Sequence, residues 1–112
     1  MKKIDAIIRP HTMEDVVSRL RLIGVTGMTV TEVHGISPST ATIGVFRGER
    51  YLVPSAPRYQ VMIVVPDTLA EPVVSAIGRT ACTEAAGDGI VAVADVVDVF
   101  RIRTGEHGAD AL

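Results

Sequence analysis

The chain has 112 residues, 47% of them hydrophobic, and a formal net charge of -2. That hydrophobic content excludes disorder over most of its length. The charge excludes a nucleic-acid binder held by a basic excess, and without a run of about 18 apolar residues no helix is expected to enter a membrane.

One domain covering 1–112, with one core, is expected. There is no Trp, and only two Phe and two Tyr, so the core must be aliphatic. The opening run Met1-Lys2-Lys3-Ile4-Asp5 puts an acid where a signal peptide would continue its apolar region. A cytoplasmic location is therefore expected. The single cysteine, Cys82, permits no intrachain disulfide and reads as a small buried or half-buried hydrophobe.

Residues 3–9 (KIDAIIR) alternate and then run apolar, as a buried strand does. Pro10 ends the strand. Thr12 reads as a helix N-cap with Asp15 completing a capping-box variant. Met13, Val16, Val17, Leu20 and Ile23 form one helical stripe, and Gly24 falls where a left-handed C-cap belongs. Residues 25–33 (VTGMTVTEV) are β-branched and predict a second strand. Residues 35–58 have no sustained period and hold three prolines. An irregular run of about 20 residues inside a compact domain is usually functional or disordered. It reads as a long surface loop at 36–57, joining two copies of one unit.

The pattern then returns. Residues 59–65 (YQVMIVV) predict a strand and Pro66 ends it. Thr68 with Glu71 makes a capping box, and Pro72 falls in the first helical turn. Leu69, Val73, Ala76 and Ile77 supply the stripe. The turn Gly87-Asp88-Gly89 leads into a strand expected to run from Ile90 to Ile102. Setting Pro10 on Pro66 aligns Thr12 with Thr68, Met13 with Leu69 and Val17 with Val73, an offset of half the chain. A βαβ unit used twice gives a ferredoxin-like α+β sandwich, with a four-stranded antiparallel sheet and both helices on one face. Consecutive apolar residues such as Ile7-Ile8 and Ile63-Val64-Val65 predict burial of both sheet faces. Oligomerisation through the open face is the expected consequence, most simply a closed ring.

The runs MKKIDAIIRP, Gly27-Met28-Thr29-Val30-Thr31-Glu32-Val33, Ile63-Val64-Val65-Pro66-Asp67, Gly87-Asp88-Gly89 and Arg101-Ile102-Arg103-Thr104-Gly105-Glu106 together resemble the P-II signal-transduction family over nearly the whole chain. The resemblance implies a homotrimer with an adenine nucleotide (ATP, ADP or AMP) in each cleft between neighbours. It implies a loop that docks on a membrane transporter, receptor or metabolic enzyme, as in control of ammonium transport or glutamine synthesis. It also implies a response to 2-oxoglutarate with magnesium, and a loop tyrosine that some members have uridylylated. On this resemblance the nucleotide residues are Thr29, Gly35, Val64, Gly87, Asp88, Gly89, Arg101 and Arg103. The partner or modification residues are Arg47, Arg50 and Tyr51.

The residues themselves agree in part. Glycines around Asp88 let the backbone approach a ligand closely, and successive amides there can form an anion nest. Arg101 and Arg103, flanking Ile102 on a strand end, would point to one side and suit a polyphosphate. Two ordinary solvated arginines are the bland alternative.

Functional positions depart from the family pattern. Its usual Thr-Gly-x-x-Gly-Asp-Gly-Lys-Ile-Phe reads here Thr83-Glu84-Ala85-Ala86-Gly87-Asp88-Gly89-Ile90-Val91-Ala92. Ile90 replaces a phosphate-binding lysine. Glu84 replaces a glycine and brings a negative charge, whose repulsion at about 4 Å is roughly 4 kcal/mol at an effective dielectric of about 20. Met62 stands where the family usually has a glutamate. Pro38 and Ser39 replace an arginine that reaches the nucleotide and a glutamine that helps hold magnesium and 2-oxoglutarate. Loss of 2-oxoglutarate sensing and a shift from ATP towards ADP or AMP are expected; magnesium's role stays open. The usual Tyr-Lys/Arg-Gly-Ala-Glu-Tyr reads Phe46-Arg47-Gly48-Glu49-Arg50-Tyr51. Tyr51 serves as a modification site or as an aromatic partner anchor. His11, His34 and His107 are read as solvated, and the tail from His107 to Leu112 as mobile.

Three other functions stand beside the nucleotide-binding regulator. One is a sensor of bicarbonate or another small carboxylate on the same fold. The others are an enzyme, for which no nucleophile–base pair or metal cluster is visible, and a trimeric scaffold with a vestigial cleft.

Overall fold

Strand β1 (Lys2–Ile8) lies inside the main sheet, hydrogen-bonded on both sides. The structure is a computed structural model that describes residues 1–38, 42–53 and 55–112, with the backbone alone described for 42–46 and 50–53. Beyond β1, the elements are α1 (Met13–Leu22), β2 (Thr29–Ile36), β3 (Thr42–Phe46), β4 (Glu49–Val53), β5 (Ser55–Val65), α2 (Asp67–Ala81) and β6 (Gly89–Asp95). Strands β2, β5, β1 and β6 form, in that order, the expected four-stranded antiparallel sheet. This is the ferredoxin-like double-βαβ arrangement.

The core lies between this sheet and the two helices. Ile4, Ala6 and Ile8 of β1 alternate inward and pair with the inward set of β5, including Val61 and Ile63. Val16 and Leu20 of α1 and Val73, Ile77 and Ala81 of α2 close over them. Burying each large aliphatic side chain stabilises the fold by about 1.5–3 kcal/mol. Helix α1 ends as expected. The Val25 amide donates to the Leu20 carbonyl (3.0 Å) and the Gly24 amide to that of Arg21 (3.2 Å), with Gly24 at φ 102. This is a Schellman cap. It swings Val25 into the core, 5% exposed. Strand β2 consequently begins at Thr29 and runs to Ile36, later at both ends than the pattern suggested.

Neither capping box forms. Thr12 is buried within a short 3-10 turn (Pro10–Thr12), and its hydroxyl donates back to the Arg9 carbonyl at 2.8 Å. Helix α2 starts two residues earlier than expected, at Asp67 with Pro66 rather than Thr68 as N-cap, and Pro66 has no side chain to donate or accept. The Met1 amine binds the Asp67 carboxylate at 2.9 Å and holds its pKa below the usual carboxylate range. Pro72 lies inside α2 rather than in its first turn.

The segment read as an irregular loop holds regular structure. Strands β3 and β4 pair antiparallel as a separate two-stranded sheet. Their turn is Arg47-Gly48, at φ 52 and 80. Positive φ at both central residues is the turn whose twist matches a hairpin. An Arg-Gly pair signals it more weakly than Asn-Gly, which is why the sequence hides it. Ser39 and Pro54 lie outside the described residues.

Among the described residues, neither helix covers the far face of the sheet. It is also less apolar than the runs implied. Half-buried Ile7, Met62 and Val64 flank a polar patch, in which the Gln60 amide donates to Asp5 at 3.1 Å and Lys3 lies 3.5 Å from Asp5.

Candidate functional site

The Gly87-Asp88-Gly89 turn enters β6 beside the end of β1. Gly89 has φ 116, and a Cβ there would lie 1.7 Å from the Ile7 carbonyl oxygen. Only glycine fits this approach. Asp88 faces back into its own loop. Its carboxylate accepts the Thr83 hydroxyl, the Thr83 amide at 2.7 Å and the Arg9 Nε at 3.1 Å. These bonds, those from Thr83 foremost, hold its pKa down at about 2. Asp88 therefore organises the turn, and its carboxylate is already committed. Arg9 also donates to the Ala86 carbonyl at 2.6 Å. Glu84 sits at φ 64, a left-handed conformation that suits the glycine it replaces.

Arg58 ties this turn to the base of the 36–57 segment. It is 8% exposed, and donates to the carbonyls of Pro57 (2.8 Å) and Gly87 (3.2 Å). Gly35, Arg58, Gly87, Gly89 and Ile90 line a recess of about 410 Å³. Ile90 is 68% exposed there.

At the other end of the sheet, Thr29, Met62, Val64, Arg101 and Leu112 line a recess of about 320 Å³. Arg101 and Arg103 do not alternate on a strand. Strand β6 stops at Asp95, which pairs with Lys2, the first residue of β1. The chain turns instead at 102–104, where the Gly105 amide bonds the Arg101 carbonyl (2.8 Å) and the Arg101 amide bonds the Glu106 carbonyl (2.9 Å). Arg103 is exposed. The guanidinium of Arg101 donates to the main-chain oxygens of Ala111 (3.3 Å) and Leu112 (3.1 Å).

The segment expected to be a mobile tail is folded. Gly108–Ala111 is a 3-10 turn with Ala111 buried. Asp98 holds its start: its carboxylate contacts His107 Nδ1 at 2.8 Å and accepts the amides of Val99 and Gly108. These bonds, led by that from His107, lower the Asp98 pKa. His107 is exposed, as expected, but its ring nitrogen is hydrogen-bonded to Asp98, and its ring lies 5.0 Å from that of Phe100. Cys82 is exposed, contrary to its reading as a buried hydrophobe.

Six of the eight expected nucleotide residues therefore fall into two groups, while Asp88 faces its own loop and Arg103 is exposed outside both recesses. Thr29, Val64 and Arg101 share one recess; Gly35, Gly87 and Gly89 share the other. Thr29 and Gly35 sit six positions apart on β2, a separation of about 20 Å at the rise of a strand. Of the partner residues, Arg47 lies in the hairpin turn and Arg50 and Tyr51 lie on β4. Reasoning from sequence missed Arg9, Arg58, Thr83 and Asp98. Arg9 and Arg58 carried a faint signal as charged residues in or bordering apolar strand sequences. Among the described residues no cluster of His, Cys, Asp or Glu could hold a metal ion, and no helix is long and apolar enough to cross a membrane.

The chain is thus a double-βαβ sandwich with a hairpin inserted between its halves and a glycine-flanked acidic turn before its last strand. The profile of the family described as "Nitrogen regulatory protein P-II" matches residues 1–106. The chain is 46% identical over 112 residues to nitrogen regulatory protein P-II 1 of Escherichia coli K12, and 45% to nitrogen regulatory protein P-II of Pasteurella multocida, with all of each chain covered. It superposes on B. subtilis GlnK with a TM-score of 0.82 at 28% identity, covering 99% of this chain and 97% of that one. The chain belongs to the P-II family of nitrogen regulatory proteins. Proteins of this family are regulators rather than enzymes.

Proposed function

We propose that this chain assembles as a homotrimer and binds an adenine nucleotide in clefts between subunits. In this reading it controls a transporter, metabolic enzyme or regulator through the 36–57 segment, in the cytoplasm. The division of the expected nucleotide residues carries this reading. Six of the eight line two recesses at opposite ends of the sheet, about 20 Å apart along β2, so one chain cannot wrap both groups around one ligand. Copies joined through the open face can, because a closed ring brings one end of each chain against the other end of its neighbour.

Loss of 2-oxoglutarate sensing is part of the proposal. Ile90 brings an exposed hydrocarbon to the recess where the family pattern has a lysine. Pro38 offers no side-chain donor at the loop base, and magnesium requires oxygen ligands. With fewer cations near the terminal phosphate, ADP or AMP is favoured over ATP.

Calorimetric titration with ATP, ADP and AMP, alone and then with magnesium and 2-oxoglutarate, tests this reading. ADP or AMP binding without a 2-oxoglutarate effect is expected. Tight ATP binding strengthened by 2-oxoglutarate would sink the loss of sensing. Absence of all nucleotide binding would leave a scaffold. Sedimentation should give three times the 11.9 kDa chain mass.

A second reading, a sensor of bicarbonate or another small carboxylate, is favoured by Arg58. This buried cation has two neutral carbonyls as its hydrogen-bond partners. A small anion is a stronger acceptor than either. A bicarbonate-dependent change in nucleotide affinity that disappears in Arg58→Gln would support it; no effect of bicarbonate removes it.

A further inference from the structure

We infer that the C-terminal turn is a built-in competitor for the Arg101 recess: the main-chain oxygens of Ala111 and Leu112 occupy the guanidinium that an anionic ligand group would take, so binding there requires the turn to let go. The inference rests on the nucleotide reading above and adds a regulatory element to that site.

Four observations carry it. Arg101 lines the recess with Thr29 and Val64, and the turn residues Ala111 and Leu112 line the same recess. The guanidinium spends its Nε and one terminal nitrogen on the Ala111 and Leu112 oxygens. Arg101 makes no ion pair with an Asp or Glu side chain among the described residues; its acceptors are the main-chain oxygens of the turn. The turn itself is hinged from a separate anchor, since Asp98 grips His107 and the Gly108 amide, and the Gly108 amide also bonds the Val99 carbonyl at 3.0 Å.

The energetics set the direction of the exchange. A hydrogen bond from guanidinium to a charged oxygen is about twice as strong as one to a neutral carbonyl. A polyphosphate carries more charge than the oxygens of the turn and takes a guanidinium bidentately, so it competes with the turn for the Nε and terminal nitrogen of Arg101. Until the turn yields the recess is closed on its cationic side, and the apparent affinity falls by the fraction of time that the clasp is open. A clasp closed nine times in ten would weaken binding about tenfold. The anchor at Asp98 keeps the released segment tethered, so the clasp re-forms when the ligand leaves. Anything that holds residues 108–112 elsewhere raises the affinity of the recess.

The test uses ADP as probe and the full chain as reference. Two variants loosen the clasp in different ways: deletion of 108–112, and Gly108→Val, which puts a β-branched residue at φ 63 without shortening the chain. Each should tighten ADP binding about tenfold by calorimetry. Hydrogen exchange at the Leu112 amide, which donates to the Ala109 carbonyl at 3.2 Å, should accelerate when ADP saturates the unmodified protein. It should also accelerate in Arg101→Gln without ligand. If ADP binds the full chain but neither variant tightens it, or the Leu112 amide stays protected with ADP bound, the clasp is overturned and the nucleotide reading stands. If ADP binds neither the full nor the shortened chain, the nucleotide reading falls and the competition falls with it.

Discussion

The two ends of the open sheet face are held by opposite means. At one end, the turn before β6 is fixed by charge and by close packing. Asp88 is bonded three ways, Arg9 and Arg58 bridge it to neighbouring elements, and Gly89 lies against β1 with no room for a side chain. At the other end, among the described residues, Arg101 donates its side-chain hydrogen bonds to main-chain oxygens of Ala111 and Leu112. The first end is preorganised and intolerant of change; the second is soft and displaceable. A site built from both would have one rigid wall and one that yields.

The sharpest way to break this contrast is Gly89→Ala. A Cβ 1.7 Å from the Ile7 carbonyl, at a φ that L residues avoid, should cost on the order of 4 kcal/mol or prevent folding. Chemical denaturation measures it. A loss under about 1 kcal/mol would show that the turn has room to spare.

Next comes acid stability. The Asp88 carboxyl titrates at about 2 in the folded chain, against 3.8 for an unperturbed group. Because the folded value is the lower, its stabilisation is complete above the unperturbed value. It is lost as pH falls through about 2. Asp88→Asn should therefore lower stability at neutral pH and flatten the decline between pH 4 and 2, compared with the unmodified protein. Parallel pH–stability curves for the two would count against the role given to Asp88.

Restoring a cation in the recess is a smaller change. Ile90→Lys should strengthen ATP binding by roughly tenfold, about 1.4 kcal/mol, and leave AMP nearly unaffected, as calorimetry would show. An equal gain for AMP would mean that the lysine acts somewhere other than at the terminal phosphates.

The smallest effect concerns strain. Glu84 at φ 64 carries a left-handed penalty of about 1 kcal/mol, so Glu84→Gly should stabilise the protein by a similar amount. A loss of stability would mean that the Glu84 side chain makes a compensating contact.

The repeat was legible because its signals are local. Pro10 and Pro66 end equivalent strands, each strand is followed by a helix with a buried stripe (Val16 and Leu20 in α1, Val73 and Ile77 in α2), and Gly24 caps α1 as its position suggests. These depend on residue period and backbone sterics, which a sequence displays directly. The capping boxes failed because the ends of α1 and α2 are set by tertiary contacts. Thr12 is buried in a turn that packs against β5, and the Met1 amine reaches Asp67 across the chain. The length of β6 failed for a related reason. Its residues remain β-branched to Val99, yet the strand ends where β1 runs out.

At the candidate site the sequence determined the chemistry available: glycines that admit a tight turn, arginines for an anion, and the family to which the motifs point. Tertiary structure decided what those groups do. It turned Asp88 inward, gave Arg101 to the C-terminal turn, brought Arg9 and Arg58 to a loop distant in the chain, and put the expected ligand residues at opposite ends of one sheet. The reason is physical. Period and propensity act between near neighbours, whereas a charged side chain is committed by whichever acceptor the fold brings within about 3 Å, and that acceptor can lie anywhere in the sequence.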